Sequence, residues 1–463
     1  MPPNEYGAAE AARAIAKRQL SARDLVSACL SQIERWDSRI HAWAHVDPDS
    51  ALAQADATDD AVRDERAAGP LGGVPVGIKD IFNTVDMPTQ MGSPIWRGFT
   101  PGNDARVVHY LRMAGAVIPG KTVTAEFAVH APGPTENPHR PNYIPGTSSS
   151  GSAAAVAAYM VPIALGTQTA GSIIRPASYC GIFGFKPSFG LVPRTGILKT
   201  TDSLDTVGWF ARNVEDLKLI FETVRVKGGD YPLSDAALSD EDRQSEPSGR
   251  PWRIALVRGP KWDQAQDYVK SVVTDFASKL SSDSGIQVEE LAGPPELEQA
   301  HDVHATIYDK ALAYYFKEEF QQHTLVSSCI YEIIERGNVI TLDQYTGALA
   351  GQRQIARAME TLFGDFDVVL DMATAGAALE GLESVDAPDH SLIWTLCGLP
   401  AVSVPVGTSP DGLPVGVQLA ARRYNDRLLL RLLEAIEALG LLPNRTYPEP
   451  PMASRSQPAY ATA

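Results

Sequence analysis

The sequence predicts an α/β protein, a single large α/β/α domain in which a mixed central sheet is flanked by helices. Short apolar segments typical of buried strands alternate along the chain with longer segments of helical spacing. Of the 463 residues, 44% are hydrophobic, enough for one large core. No repeat, low-complexity tract or linker rich in proline and serine divides the chain. We therefore expect one sheet-based domain rather than several joined by linkers.

Residues 1–65 are predicted to form an N-terminal helical arm. Leu25, Cys29 and Ile33 recur at the spacing of one helical face, and Ser21 suits the position that caps a helix N-terminus. The arm carries no chemical motif, so we expect it to cover one face of the core, and a dimer interface is the alternative. Monomer and homodimer both stay open.

The charge balance of the chain restricts its partners. The sequence has 56 acidic and 40 basic residues, a formal net charge of −16. This charge opposes nonspecific binding to nucleic acids and to anionic membranes. We predict no nucleic-acid partner and no membrane association.

The cysteines and the N-terminal segment indicate the compartment. The four cysteines lack the CxxC spacing of metal and redox sites. The chain does not begin with a basic segment followed by an apolar one, so no signal peptide is indicated. Together these features predict reduced thiols and a cytoplasmic protein.

Residues 66–450 are predicted to form the main domain, and two loops rich in small and hydroxyl residues are its most informative feature. They flank residues 153–165, an apolar segment that we expect to be a buried helix. Such a helix would return the chain, so that Ser148 in the first loop and Ser172 in the second come together. Serines need a base to become nucleophiles. The candidate is Lys79, at the end of an apolar segment typical of a central strand.

Other patterns give weaker candidates. Lys79 could pair with Asp80 instead of serving as a base. His130 and His139 have no carboxylate at a recognisable spacing, and neither HExxH nor GxSxG occurs. We therefore predict no metal and no cofactor. No phosphate-binding loop is predicted either, because the glycine/serine loop lacks the GK[ST] ending and no GxGxxG follows a strand.

The remaining segments complete the predicted domain. Residues 228–250 are polar and suggest a solvent-facing loop or insertion. Residues 296–363 suggest helices with an aromatic cluster that packs in the core. Further buried strands are predicted at residues 253–257, 367–370, 399–407 and 414–419, a closing helix at 426–439, and a tail at 451–463.

Three separated motifs closely resemble those of the amidase signature family: the strand that ends in Lys79-Asp80, the loop at residues 146–152 and the loop at residues 167–172. The resemblance extends over roughly residues 20–441. It implies a Ser-cisSer-Lys triad with Lys79 as base, Ser148 as bridging serine and Ser172 as nucleophile.

The same resemblance implies further features of the site. A cis peptide bond is expected between Thr147 and Ser148. Substrate contacts are expected near the nucleophile. The oxyanion hole would be formed by the backbone N–H groups of Thr169, Ala170, Gly171 and Ser172, and the pocket by Met91, Phe127, Ile173, Arg175, Tyr179 and Trp394.

Four positions depart from the family pattern around the nucleophile. Gln168 replaces the usual aspartate and Ile174 the usual arginine, while Arg175 occupies the next position. If the two missing charges pair in relatives, losing both together avoids a buried unpaired charge. Ala170 replaces a glycine. These changes suggest a specialised branch.

Three functions remain open on the sequence. The first is a serine hydrolase of linear C–N bonds in a small-molecule amide, aryl amide or carbamate (urethane), acting through an acyl-enzyme. The alternative is the catalytic subunit of a glutamine-dependent amidotransferase, which shares the Lys-Ser-Ser set. The third is a non-catalytic binding module in which the glycine/serine loop binds an anion.

Overall fold

The computed structural model describes residues 1–322, 324–384 and 389–442, and within them eleven strands form one sheet. In chain order the strands are β1 (Trp43–Val46), β2 (Val76–Lys79), β3 (Gly120–Thr122), β4 (Ile163–Gln168), β5 (Phe183–Lys186), β6 (Thr206–Ala211), β7 (Trp252–Arg258), β8 (Ile286–Ala292), β9 (Val368–Met372), β10 (Ala401–Thr408) and β11 (Pro414–Ala421). Their order in the sheet is β1-β3-β2-β4-β6-β5-β10-β11-β9-β7-β8.

The sheet is mixed, as predicted. Strand β2 is parallel to β3 and β4, and β7 is parallel to β8 and β9. The other pairings are antiparallel. Strands β2, β4, β5, β6, β9 and β11 are buried along their whole length, as expected of strands covered on both faces. The α/β fold class is confirmed.

The helices cover this sheet. They are α1 (Ala8–Ala16), α2 (Ala22–Ile40), α3 (Pro48–Arg63), α4 (Arg106–Met113), α5 (Ser150–Ala157), α6 (Ile174–Cys180), α7 (Val214–Val224), α8 (Pro232–Ser239), α9 (Glu241–Gln244), α10 (Asp267–Ser281), α11 (Ala300–Tyr315), α12 (Ser328–Val339), α13 (Leu342–Leu362), α14 (Leu392–Leu396) and α15 (Asp426–Ala438). No helix in the described ranges is long and apolar enough to cross a membrane.

The long helix expected at residues 153–165 is wrong. Helix α5 ends at Ala157, and strand β4 begins at Ile163 within the same segment. Pro162 directly precedes the strand, where its missing N–H is tolerated. The two loops still meet, because α5 packs against β4 and the Ser152 hydroxyl donates to the Leu165 carbonyl at 2.7 Å.

The N-terminal residues are more closely joined to the sheet than a covering arm would be. Helix α2 begins as predicted, with the Asp24 amide donating to Ser21 Oγ at 2.9 Å. After it, strand β1 pairs with β3 at the edge of the main sheet. The Asp216 carboxylate on α7 accepts the backbone amides of Ala8 and Ala9, both at 2.8 Å. Residues 1–65 therefore share the core of the sheet.

Two variable segments have different outcomes. Residues 228–250 contain the short helices α8 and α9, so the expected loop is wrong in part. The buried Gln244 side chain explains the difference, since its amide donates to the carbonyls of Ala237 and Tyr424 at 2.9 and 2.6 Å. Residues 296–363 are largely helical, as expected. The predicted tail at residues 451–463 lies outside the described residues.

Candidate active site

Lys79 ends strand β2 in the middle of the sheet and is fully buried. Its Nζ atom lies 2.6 Å from Ser148 Oγ, 3.0 Å from Ser149 Oγ and 3.1 Å from Thr167 Oγ1. Strands β2 and β4 are parallel, so their carboxyl ends bring Lys79 and Thr167 to one edge. The amine is thus surrounded by hydroxyl groups.

This environment favours the neutral amine. Burial lowers the pKa of Lys79 well below its usual value, and the carboxylate of Asp205 opposes that shift. Asp80, the neighbour in sequence, does not pair with Lys79. It lies 3.1 Å from Lys121 Nζ on β3, and both side chains are buried. The alternative of a Lys79–Asp80 salt bridge is therefore wrong in this structure.

The segment that contains Lys121 resembles a phosphate-binding loop in sequence but not in structure. Residues 115–122 match the letters GxxxxGK[ST] of such a loop, a match that the sequence-based expectation of no such loop overlooks. In the structure Gly120–Thr122 is strand β3 and not the start of a helix. Lys121 is buried against Asp80, Thr89 and Pro88, so no phosphate cradle forms.

The first serine loop is fixed by contacts on both sides. The Thr124 hydroxyl donates to the Ser148 carbonyl at 3.1 Å, and the Ser149 hydroxyl donates to the Thr167 carbonyl at 3.2 Å. Every peptide bond in the described ranges is trans, including Thr147–Ser148. The expected cis bond is therefore wrong here. The trans form is the ordinary state of a non-proline bond, by about 3 kcal/mol.

The second loop presents four backbone amides without acceptors. In the described part of the chain, the N–H groups of Thr169, Ala170, Gly171 and Ser172 donate to no protein group. The carbonyls of the same loop are held: His304 Nε2 donates to Thr169 O at 2.9 Å, the Thr395 hydroxyl to Ala170 O at 2.8 Å, and the Arg175 amide to Gly171 O at 2.9 Å. A loop whose carbonyls are hydrogen-bonded and whose N–H groups have no acceptor forms a site that favours an oxyanion.

Gln168 explains two departures from the family pattern. Its Oε1 atom accepts the backbone amides of Ile173 and Ile174 at 2.8 and 3.0 Å, at the start of α6. Its Nε2 atom donates to Thr395 Oγ1 at 3.0 Å. A neutral side chain thus satisfies the buried amides, so no counter-charge is needed, and Ile174 packs in the apolar core.

Arg175 forms a buried ion pair beside the loop. Its guanidinium lies 2.7 Å from the Asp389 carboxylate, and each side chain is 11% exposed. That carboxylate packs directly on Gly171, where a Cβ atom would come within 2.2 Å of it. Only glycine fits at this position while Asp389 stays in place.

Ser172 lies two positions before the first residue of α6 and is half-buried. Within the described ranges, its hydroxyl has no hydrogen bond to Ser148 or to any other residue. The structure therefore places Ser148 against Lys79 and leaves the Ser172 hydroxyl unengaged beside the four free amides.

Five of the six predicted pocket residues are buried, so no pocket wall is assigned to them: Met91, Phe127, Ile173, Tyr179 and Trp394. Met91 and Phe127 also have left-handed backbone conformations. The sixth, Arg175, is paired with Asp389.

Sequence reasoning missed residues that contact the lysine and the loop. Ser149 and Thr167 complete the hydroxyl cage of Lys79. His304, from α11, is buried and donates to the Thr169 carbonyl of the second loop, and burial lowers its pKa. The hydroxyl of Thr167 at the end of an apolar strand is a usable signal, whereas nothing local links His304 to residues so distant in sequence.

The histidines and acids give no metal site. No group of three or more potential metal ligands is found among the described residues. His139 instead has its Nε2 atom 2.8 Å from the Cys180 carbonyl. All four cysteines are unpaired.

Comparison with known proteins adds an independent result. The sequence model of the family described as Amidase matches residues 24–430. The glutamyl-tRNA(Gln) amidotransferase A-subunit of Acidothermus cellulolyticus is 35% identical over 480 residues, covering 93% of this chain and 94% of that protein. A chain of a solved inhibitor-bound complex, described as a vestigial protein complex that reveals the evolutionary origins of an s-triazine catabolic enzyme, has a TM-score of 0.83 and 29% identity, covering 94% and 99% of the two chains. A peptide amidase from Stenotrophomonas maltophilia has a TM-score of 0.82 and 27% identity, covering 96% and 99%.

Proposed function

Because this chain belongs to the amidase family, as the match over residues 24–430 shows, we propose that it is a serine amidohydrolase that cleaves a linear C–N bond through an acyl-enzyme at Ser172. The observation that carries this proposal is the buried Lys79 amine in contact with Ser148. A lysine acts as a base only when it is neutral, and burial provides that state.

The hydrogen bonds around Lys79 support Ser148 as the serine that relays the proton. A neutral amine donates two hydrogen bonds and accepts one. The Ser149 hydroxyl gives its proton to the Thr167 carbonyl, so Ser149 accepts from Lys79. The Ser148 hydroxyl, 2.6 Å from Nζ, makes no other donation in the described chain, so it is the group that gives its proton to the amine.

Acylation then follows with each proton placed. Lys79 takes the proton of Ser148, Ser148 takes that of Ser172, and Ser172 Oγ forms a bond to the carbonyl carbon. The carbonyl oxygen becomes an oxyanion beside the free amides of Thr169–Ser172, each of which supplies about 3 kcal/mol in comparable sites. When the C–N bond breaks, Ser148 gives its proton to the leaving nitrogen and takes back the proton that Lys79 holds, so that Lys79 is neutral again. Water repeats the sequence and releases the acid and Ser172.

The substrate of the first candidate is a small amide, aryl amide or carbamate. These share a carbonyl carbon bonded to nitrogen, and the nucleophile and the oxyanion site treat them alike. An activated ester is also expected to react, since its leaving group needs less help from Ser148.

A second candidate is the catalytic subunit of a glutamine-dependent amidotransferase. Curated relatives 34–35% identical to this chain are A-subunits of glutamyl-tRNA(Gln) amidotransferase, and they support this candidate more directly than carbamate hydrolysis. The chemistry at Ser172 is the same, but glutamine is the amide and partner subunits are required.

The experiment measures release of 4-nitroaniline from a matched acyl anilide and an O-alkyl N-(4-nitrophenyl)carbamate, with wild type and Ser172→Ala. Release by wild type alone supports the hydrolase, and the ratio of rates chooses amide or carbamate. Ammonia release from glutamine, measured with and without candidate partner subunits, tests the second candidate. Activity that survives in Ser172→Ala contradicts both candidates.

A further inference from the structure

A cavity of about 240 Å³ borders the hydroxyl cage of Lys79. Its inner wall includes Thr167, whose hydroxyl lies 3.1 Å from Lys79 Nζ, and Thr169, the first of the four residues whose amides lack acceptors. Thr195 and Lys199, which also line it, are exposed. The cavity thus extends from the lysine side of the site toward solvent.

The cavity offers no free charge at its inner end. The Asp205 carboxylate accepts five hydrogen bonds, from the amides of Thr200 and Thr201 and from the hydroxyls of Thr169, Thr200 and Thr201. These bonds occupy its acceptor positions, so it is not available to a cationic ligand. Much of the remaining wall is aliphatic: Ile81, Ala128, Ile197, Leu198 and Val207. The two basic residues of the wall are engaged elsewhere, since Arg194 donates to the carbonyls of Thr201 and Asp202 and Lys199 pairs with the Asp202 carboxylate. Such a surface suits an uncharged group.

One wall of the cavity depends on an unusual backbone. Ala128 has a φ of 58° and the preceding Phe127 a φ of 49°. Left-handed non-glycine residues cost about 1–3 kcal/mol each and persist where their surroundings impose them. Here the Phe127 amide donates to Met91 O at 2.8 Å and the Ala128 amide to Ala125 O at 2.9 Å. The strain is located where it shapes the cavity.

The direction of proton transfer decides which part of a substrate lies there. Ser148 returns its proton to the leaving nitrogen, so that nitrogen must come within hydrogen-bond distance of Ser148. Ser148 itself contacts Lys79. The cavity bordered by Thr167, which contacts Lys79, is therefore the space within reach of a substituent on that nitrogen. The amine leaves uncharged because Ser148 has supplied its proton.

We propose that this cavity is the subsite for the substituent on the leaving nitrogen. The substrate class is then an N-substituted amide or carbamate whose leaving group is an uncharged primary amine with an aliphatic or aromatic substituent. Ammonia would leave most of the volume unfilled, since a water-sized molecule occupies roughly 30 Å³ in the liquid. The inference rests on the proposed function and selects N-substituted substrates within it.

The test varies the two halves of the substrate separately. One series keeps the acyl group constant and changes the leaving group from ammonia to methylamine, butylamine and aniline. A second keeps ammonia as the leaving group and changes the acyl group. Both series are measured with wild type, Ile197→Trp, which fills the cavity, and Ile197→Ala, which enlarges it. Val339→Trp is the matched control, because Val339 is 79% exposed on α12.

Wild type should prefer the N-substituted members, by at least tenfold in kcat/KM over the primary amide. Ile197→Trp should lower the ratio of anilide to primary amide at least tenfold, Ile197→Ala should shift it toward larger amines, and the control should keep the wild-type ratio. Hydrolysis confined to primary amides, an unchanged ratio in both Ile197 variants, or changes that follow the acyl series overturn the inference and leave the proposed function in place. Release that does not require Ser172 overturns the proposed function instead.

Discussion

The buried Lys121–Asp80 pair gives the most quantitative prediction. Lys121 is fully buried, and its Nζ atom lies 3.1 Å from Asp80 Oδ1, 2.8 Å from Thr89 Oγ1 and 3.0 Å from Pro88 O. Replacing Lys121 with Met removes the cation and leaves a buried carboxylate without its partner. Loss of one member of such a pair costs about 3–5 kcal/mol. We expect the free energy of unfolding to fall by that amount.

The assay is urea denaturation of wild type, Lys121→Met, Asp80→Leu and the double variant. Removing both charges leaves no unpaired ion, so the double variant should be more stable than the sum of the single losses predicts, with a coupling energy of at least about 2 kcal/mol. Lys227→Met, at an exposed lysine, is the control and should change stability by less than about 0.5 kcal/mol. A loss below about 1 kcal/mol for Lys121→Met, or additive losses in the double variant, would refute the reasoning.

Three further predictions concern the site and a buried acid. Lys79→Met should abolish amide hydrolysis. Because the lysine pKa is lowered in the folded protein, the unfolded chain binds one more proton between that pKa and 10.5, so wild-type stability rises with pH across this window. The stability of the variant relative to wild type should therefore be greatest at low pH, and pH-dependent urea titrations that show the opposite trend would contradict a neutral buried lysine. Burial raises the pKa of Asp371 to about 8. The folded state therefore keeps this proton and loses stability as pH rises from about 4 to 8. Asp371→Asn should gain stability relative to wild type over that range, and a stability difference that stays constant with pH would contradict the raised pKa. Gln168→Ala leaves the amides of Ile173 and Ile174 without their acceptor, which costs about 1–3 kcal/mol for each buried group. This variant should have a lower thermal midpoint of unfolding and a lower kcat. Gln168→Glu keeps an acceptor and should lose less of both, and equal losses in the two variants would argue against the capping role.

The sequence predicted the strand that ends at Lys79 and the helix that Ser21 caps, because both depend on local patterns. It failed at residues 153–165, since an uninterrupted apolar run does not by itself distinguish a helix from a buried strand. Pro162 marks the boundary between α5 and β4 in retrospect.

The contacts of the candidate site were harder to predict for a related reason. The hydroxyl cage of Lys79 depends on the register of β2 against β4, which brings Thr167 to Lys79. The pairs Arg175–Asp389 and His304–Thr169 join segments far apart in the chain. Such contacts follow from the packing of the whole fold, and no local spacing encodes them.

The central claim is that Ser172, and not the lysine-bound Ser148, carries the acyl group. Mass spectrometry of the protein quenched during turnover of a 4-nitrophenyl ester, followed by peptide mapping, tests it directly. The account predicts one acyl group on Ser172, absent in Ser172→Ala and slow to form in Lys79→Met. An acyl group on Ser148 or Ser149, or turnover in Ser172→Ala, would contradict it.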